Sequence, residues 1–191
     1  NQWEYNLLQH CRQWRRAVPG QRHRHAHNNT VSSNTADGGG GLYLYNSAAT
    51  LDGNTITSNT ANGGGGLYLD ASAVTLSGNT ISRNTASGTD SWEGGGGLLL
   101  RVSAPMLINN VVADNQADFL GGGLRIRGSS PCLLHTTIAR NGDSSGVYVT
   151  DEWGTYSTVA LTNTILVSHT IGISVTEGNA VTVNAVLWHD T

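Results

Sequence analysis

The sequence predicts an all-β fold in which short parallel strands wind into a β-solenoid of about six coils. The first observation is a repeat of 25 residues, which places Asn29, Asn54 and Asn79 at equivalent positions. The second is the alternation of apolar and polar residues in segments such as "LYL", "VTL" and "TIS", a period typical of strands. The third is the Gly-, Asn- and Ser-rich sequence between these segments, which disfavours helices. Since each repeat holds three such segments, each repeat predicts one coil.

Six diverging copies of the repeat follow one another from Asn28. The first two read "NNTVSSNTADGGGGLYLYNSAATLD" and "GNTITSNTANGGGGLYLDASAVTLS", and the third begins "GNTISRNTAS". Six residues around "GTDSWE" lengthen the third copy, after which the pattern resumes. Because the insertion leaves the next copy unaltered, we expect it to bulge out of the solenoid as a loop.

Alternation also predicts which side chains form the core. In the second copy, Leu67 and Leu69 should point inward and Tyr68, between them, outward. Coils stacked about 4.8 Å apart superpose equivalent residues in columns. The inward column expected for this strand contains Leu42, Leu67, Leu98, Leu124, Val147 and Ile173.

Asparagine and glycine recur at the bends between the predicted strands. One set of asparagines lies three residues after an apolar residue, at Asn34, Asn59, Asn84, Asn115 and Asn141. A carboxamide both donates and accepts, so we expect these side chains to form a hydrogen-bonded ladder; ligand coordination is the alternative. The glycine runs at 38–41, 63–66, 94–97 and 121–123 favour tight corners with positive φ. They lack the helix start and the lysine of a phosphate-binding loop.

The combination of an apolar-x-x-Asn motif with a following Gly-Gly-Gly-Leu resembles the repeats of bacterial polymorphic outer-membrane proteins. It is also similar to the broader right-handed parallel β-helix family. The resemblance extends from about Asn28 to His189, although Val or Ile stands where the polymorphic repeats favour Phe. It implies a right-handed parallel β-helix that is secreted or displayed on a cell surface.

The first 27 residues have a different composition. They contain five of the ten basic residues and four of the seven histidines, against the single acid Glu4. We interpret 1–27 as a frameshifted repeat, because synonymous codons read one nucleotide later can encode "ISGNTISCNTAGNGGGLYLDSGTATLT". In this shifted reading frame, any codons for Trp3-Glu4 and for Trp14-Arg15 encode a glycine. Both glycines fall at positions where the repeat has a glycine. A basic cap or nucleic-acid-binding arm is the alternative. We expect a short helix or irregular segment there, not a regular coil.

The repeats of residues 28–191 are expected to be truncated at the C-terminus, since "VLWHDT" ends in mid-pattern. From Asn28 onward, five arginines face twelve acids, a net charge of −7. This balance disfavours nucleic acid as a partner. No apolar run approaches the roughly 20 residues of a transmembrane helix, so no transmembrane segment is predicted.

The resemblance also raises the possibility of an enzyme, since β-helix proteins include pectate lyases and polygalacturonases. Those enzymes need carboxylates that hold calcium beside a base, or a pair of carboxylates across the sugar bond. Here the aspartates are scattered, and His135 and His169 are isolated. We therefore predict no catalytic residue, cofactor or metal site. A polysaccharide lyase or glycoside hydrolase remains the alternative.

One outward face has the composition of a carbohydrate-binding surface. On the strand that follows each glycine run, two outward positions recur in successive repeats and form two adjacent columns. These columns combine aromatic, arginine and aspartate side chains, which can stack on a sugar ring and hydrogen-bond its hydroxyls. The candidate residues are Tyr43, Tyr68, Asp70, Arg101, Arg125, Arg127 and Tyr148. Alternatively, exposed strand positions simply favour Tyr and Thr, and Asp70 and Arg101 form a weak surface ion pair.

A repeated hydroxyl pair, Thr55 with Thr57 and its equivalents in the neighbouring copies, offers ice binding as a minor alternative. The pair is lost at Val111 and Ala113. The leading interpretation is a non-catalytic fragment of a secreted or surface-displayed bacterial β-helix protein. It would act outside the cell or at its surface as an adhesion stalk or carbohydrate-binding repeat, with a polysaccharide or cell-surface glycan as partner.

Overall fold

The computed structural model describes residues 24–142 and 145–189 of the chain, which form 23 strands and no helix. All pairings between these strands are parallel, and each strand pairs with its equivalent in the next coil. The described residues therefore wind as a parallel β-solenoid, as the repeat predicts. They include no helix long and apolar enough to span a bilayer.

Three long sheets and one short sheet form the sides of the solenoid. The first sheet contains β1 (His25–His27), β4 (Thr50–Asp52), β8 (Thr75–Ser77), β12 (Met106–Ile108), β16 (Cys132–Leu134), β19 (Thr158–Thr162) and β22 (Ala180–Asn184). The second contains β2 (Thr30–Ser32), β5 (Thr55–Thr57), β9 (Thr80–Ser82), β13 (Val111–Ala113), β17 (Thr137–Ala139), β20 (Ile165–Val167) and β23 (Leu187–His189).

The third sheet contains β3 (Leu42–Tyr45), β7 (Leu67–Asp70), β11 (Leu98–Arg101), β15 (Leu124–Arg127), β18 (Val147–Thr150) and β21 (Ile173–Val175). The short fourth sheet contains β6 (Thr60–Ala61), β10 (Thr85–Ala86) and β14 (Gln116–Ala117). Each regular coil thus has the three expected strands, and three coils add a fourth strand of two residues.

The first described strand lies just before the predicted boundary at Asn28. Strand β1 pairs in register with β4, with His25 opposite Thr50 and His27 opposite Asp52. Regular pairing therefore begins by His25, three residues before the predicted start of the repeats. Most of segment 1–27, including the helix expected in it, lies outside the described residues, and the frameshift interpretation stays a prediction.

The core consists of apolar columns enclosed by the sheets. The register places Leu42, Leu67, Leu98, Leu124, Val147 and Ile173 in one stack, as predicted. The four inner members are fully buried, and the two end members are partly buried. Burying one such side chain stabilises the fold by about 1.5 to 3 kcal/mol, so the column is a major part of the stability.

The predicted asparagine ladder is present, and every polar atom of its central side chain is used. Asn84 Nδ2 donates to Asn115 Oδ1 and to Ile56 O, each at 3.0 Å. Asn84 Oδ1 accepts the backbone N–H and the side-chain N–H of Asn59, again at 3.0 Å. A second ladder joins Asn29, Asn54, Asn79 and Asn110 in the same way. Because the donors and acceptors are engaged within the ladder, its role is structural rather than ligand coordination.

His169 continues the first ladder where the next asparagine would stand. It follows Leu166 by three residues, as Asn141 follows Ile138, and Leu166 pairs with Ile138. Its Nε2 lies 3.3 Å from Asn141 Nδ2, which can donate to the neutral ring. Burial lowers the pKa of His169 below its ordinary value, which favours that neutral form. The histidine thus extends the asparagine ladder by one position.

Candidate functional site: a cleft over the third sheet

A cleft of about 370 Å³ lies on the outer face of the third sheet. Strands β7, β11 and β15 form its floor. One wall is the inserted segment 88–93, and the opposite wall is the turn at 151–155. The cleft is lined by Asp37, Gly38, Gly63, Tyr68, Trp92, Glu93, Leu99, Arg101, Arg127, Glu152 and Trp153.

The floor side chains are brought together by the parallel register. Tyr68 stands beside Leu99 in one outward column, and Asp70, Arg101 and Arg127 follow one another in the next. Equivalent positions on neighbouring strands are separated by only about 4.8 Å, so these side chains are in contact range. The alignment of repeats predicts both columns correctly.

A network of two arginines and two carboxylates crosses the floor. Arg101 donates from Nε to Glu152 Oε1 at 2.9 Å and from Nη1 to Asp70 Oδ2 at 3.1 Å. Arg127 Nη2 contacts the other Glu152 oxygen, Oε2. The Glu152 side chain is only 2% exposed, and the hydrogen bond to it raises the pKa of Arg101 above its ordinary value. The Asp70–Arg101 pair, which the sequence offered as an alternative in the form of a weak surface ion pair, is therefore part of a largely buried, charge-balanced network.

The inserted segment is a loop, as predicted, but it folds back over the sheet. Arg125 Nη2 donates to Ser91 O at 2.5 Å, and its Nη1 contacts Glu93 O. Arg127 Nη1 donates to Trp92 O at 2.8 Å. Two arginines of β15 thus hold three consecutive carbonyl groups, which fixes the wall that carries Trp92.

Arg125 lies beneath this loop, which corrects the expectation that it faces solvent, whereas Tyr148 in the same column is half-buried. Arg125 is 2% exposed and sits between the rings of Phe119 and Tyr148, with its guanidinium carbon 5.6 and 5.7 Å from the ring centroids. Burial lowers the pKa of Arg125 to about 10. The strand pattern places Arg125 outward, but the inserted loop covers its side chain. Arg125 therefore positions the loop and does not touch a ligand in the cleft.

The opposite wall is a tight two-residue turn that projects Trp153. Glu152 and Thr155 exchange two backbone hydrogen bonds of 2.9 Å, and both intervening residues have positive φ, 49° at Trp153 and 79° at Gly154. Two positive φ values in succession are the signature of a type I′ turn. The indole is 84% exposed, and the Arg101 guanidinium lies 4.7 Å from its centroid. Trp92, on the facing wall, is 56% exposed.

Two of the predicted tyrosines form an aromatic pair at one end of the cleft. The Tyr43 and Tyr68 ring centroids are 4.9 Å apart, with the planes tilted by 44°. Tyr43 also donates its hydroxyl to Asp70 Oδ2 at 3.3 Å. Burial raises the pKa of both tyrosines above the ordinary value, which keeps the hydroxyls protonated near neutral pH.

The seven predicted residues therefore divide into three groups. Tyr68, Arg101 and Arg127 line the cleft, whereas Tyr43 and Asp70 contact these residues from beside or behind the floor. Arg125 holds the loop, and Tyr148 lies against the Arg125 guanidinium. The strand-based alignment missed Trp92, Glu93, Glu152 and Trp153 because they lie outside the repeat. The sequence does contain a signal for them. The two segments that interrupt the repeat, at 88–93 and 151–155, each contain adjacent Trp and Glu residues, in "SWE" and "DEW".

Comparison with known proteins identifies the family. A model described as the right handed beta helix region matches residues 18–186. The chain belongs to this family. A search of curated proteins found no match.

Among solved structures, the fold is similar to the crystal structure of the periplasmic alginate epimerase AlgG. The TM-score is 0.56 over 86% of this chain, at 17% sequence identity. This chain spans 41% of the epimerase chain. At such low identity, the similarity shows the shared β-helix fold.

Proposed function

We propose that the protein binds a polysaccharide in the cleft, as a non-catalytic repeat of a secreted or surface-displayed bacterial β-helix protein. The observation that carries this proposal is the pair of exposed tryptophans, Trp92 and Trp153, which line the same cleft together with polar and charged side chains of its floor. A sugar ring has an apolar face and a rim of hydroxyls, so it matches aromatic walls combined with hydrogen-bonding groups.

The turn makes Trp153 a rigid platform for a sugar. One side of its indole is covered by the Arg101 guanidinium, which is itself tied to Asp70 and Glu152. The remaining surface of a ring that is 84% exposed is open to a ligand. Because the platform is already ordered, binding loses little side-chain entropy.

The floor carboxylate Glu152 is not available as an acid or base for sugar-bond cleavage. A hydrolase needs two carboxyl groups flanking the scissile bond, one to protonate the leaving group and one to act as base or nucleophile. Both Glu152 oxygens face guanidinium groups, so this carboxylate is occupied by the floor network. Among the described lining residues, Asp37 and Glu93 are the other carboxylates, and none is a histidine.

A location outside the cell or at its surface fits this role. The similar solved structure is that of a periplasmic protein, by its title an alginate epimerase. A stack of coils at about 4.8 Å per coil is also a rigid spacer, as an adhesion stalk requires. We therefore propose a polysaccharide or cell-surface glycan as the partner.

The test is a binding screen against polysaccharides by affinity electrophoresis, followed by calorimetry on the hits. Trp92→Ala and Trp153→Ala should each weaken binding about tenfold, since an aromatic stacking contact contributes about 1.4 kcal/mol. Tyr45→Ala is the matched control, because Tyr45 is an exposed aromatic of the same sheet that does not line the cleft. Binding that is unchanged in both tryptophan variants would contradict the proposal. Release of shortened or unsaturated chains would support the enzyme alternative.

A further inference from the structure

The charges of the cleft point to the kind of polysaccharide it accepts. We infer that the cleft selects an uncharged glycan and discriminates against polyuronates and other polyanions; this inference rests on the proposed function. Among the described lining residues, Arg101 and Arg127 carry positive charge, and Asp37, Glu93 and Glu152 carry negative charge. The formal balance of the lining is therefore −1.

Both arginines of the lining are already paired with internal carboxylates. Arg101 binds Asp70 and Glu152, and Arg127 binds Glu152 and the carbonyl oxygen of Trp92. The Nε of Arg127 has no hydrogen-bond partner but is buried away from solvent. A sugar carboxylate that approached either guanidinium would compete with an internal carboxylate already paired with it, and displacing that carboxylate would leave it buried and unpaired.

Two other carboxylates of the cleft, by contrast, are not paired with an arginine of the described residues. The salt bridges within residues 24–142 and 145–189 involve neither Asp37 nor Glu93. Glu93 accepts one backbone hydrogen bond, from Asp90 N at 2.9 Å to Oε2. The nearby cation Arg125 holds the Glu93 backbone from beneath the loop but is 2% exposed, so it cannot contact a ligand.

Free carboxylates suit sugar hydroxyls and oppose sugar carboxylates. A carboxylate accepts charge-assisted hydrogen bonds from hydroxyl groups, which are stronger than bonds between neutral groups. An anionic sugar in the same place would be repelled, and the net charge of −7 from Asn28 onward adds to this repulsion at low salt. The cleft therefore combines aromatic stacking with acceptors for hydroxyl donors.

The experiment compares pairs of polymers that share a backbone and differ in whether their carboxyl groups are charged. Polygalacturonate is paired with its fully methyl-esterified form, and alginate with carboxyl-reduced alginate, by calorimetry at 10 mM and 300 mM NaCl. For each pair of which at least one member binds, we expect the uncharged polymer to bind at least about tenfold more tightly than the anionic one at 10 mM NaCl. This difference in affinity should shrink at 300 mM NaCl. Equal or tighter binding of the anionic member, weakening as salt rises, would overturn the inference.

A double variant tests whether the two free carboxylates are responsible. Asp37→Asn with Glu93→Gln should reduce the preference for the uncharged member at least threefold, whereas Asp118→Asn, an exposed acid outside the cleft, should leave it unchanged. An unchanged preference in the double variant would overturn the assignment of selectivity to these carboxylates.

The tryptophan variants separate this inference from the proposed function. Binding that depends on Trp92 and Trp153 but prefers polyuronates would overturn the charge selectivity alone. Binding of neither member of either pair, and of no polymer in the screen, would overturn the proposed function and the selectivity with it.

Discussion

Replacing Asn84 by alanine interrupts the first asparagine ladder at its centre. Asn84 is fully buried and makes four side-chain hydrogen bonds, each of 3.0 Å. The change leaves the backbone N–H of Asn59 without its acceptor in a buried bend, which costs about 1 to 3 kcal/mol. Loss of the remaining bonds adds about 1 kcal/mol, so we expect destabilisation of about 2 to 4 kcal/mol.

The matched control is Asn34→Ala at the exposed end of the same ladder. Asn34 makes the equivalent donations to Asn59 Oδ1 and Ser32 O, but its side chain faces solvent, which can replace the lost partners. We expect a cost below about 1 kcal/mol there. Equilibrium denaturation followed by circular dichroism measures both values. A loss for Asn84→Ala no larger than that for Asn34→Ala would refute the claim that the ladder stabilises the stack.

Three further changes test other parts of the structure. Val102→Gly should raise the free energy of unfolding by about 1 kcal/mol in the same denaturation assay, because a β-branched residue at φ 48° is strained and Gly128 occupies the equivalent place; no gain would contradict the strain. His169 has a lowered pKa, so the unfolded chain binds its proton more readily, and stability should fall as the pH drops below about 6.5 toward the folded pKa. His169→Asn should remove that part of the pH dependence in denaturation curves from pH 4.5 to 7.5, and curves that superimpose would show that His169 does not contribute. Arg125→Met should speed proteolytic cleavage within 88–93 and weaken polysaccharide binding while retaining the circular dichroism spectrum; a cleavage rate equal to that of the parent protein would exclude the clamp.

The fold could be predicted from the sequence because each coil repeats the same physical solution. The period of 25 residues aligns Leu67 with Leu42 and Asn84 with Asn59, and parallel stacking converts that alignment directly into contacts. The six-residue insertion lengthens one coil but leaves Leu98 in register with Leu67. Local pattern and tertiary contact therefore carry the same information in this architecture.

The cleft could be predicted only in part, because its walls do not repeat. The alternation of β15 correctly places Arg125 and Arg127 outward, but it contains no information about the loop that covers Arg125. The pairing of Glu152 with Arg101 joins residues 51 positions apart, outside the repeat spacing. The tryptophans of the two interruptions could be recognised from composition, but their placement on opposite walls depends on tertiary contacts.

The central claim, that a polysaccharide lies between Trp92 and Trp153, is tested most directly by NMR of the protein labelled with ¹⁵N at its tryptophan indoles. Trp188 is an internal control, because it is exposed but lies on the last described strand, outside the cleft. When a polysaccharide found in the binding screen is titrated into the protein, the indole N–H signals of Trp92 and Trp153 should both shift and give the same dissociation constant. The indole signal of Trp188 should not shift. Saturable binding without a shift of either cleft indole, or with a shift at Trp188 alone, would contradict the account.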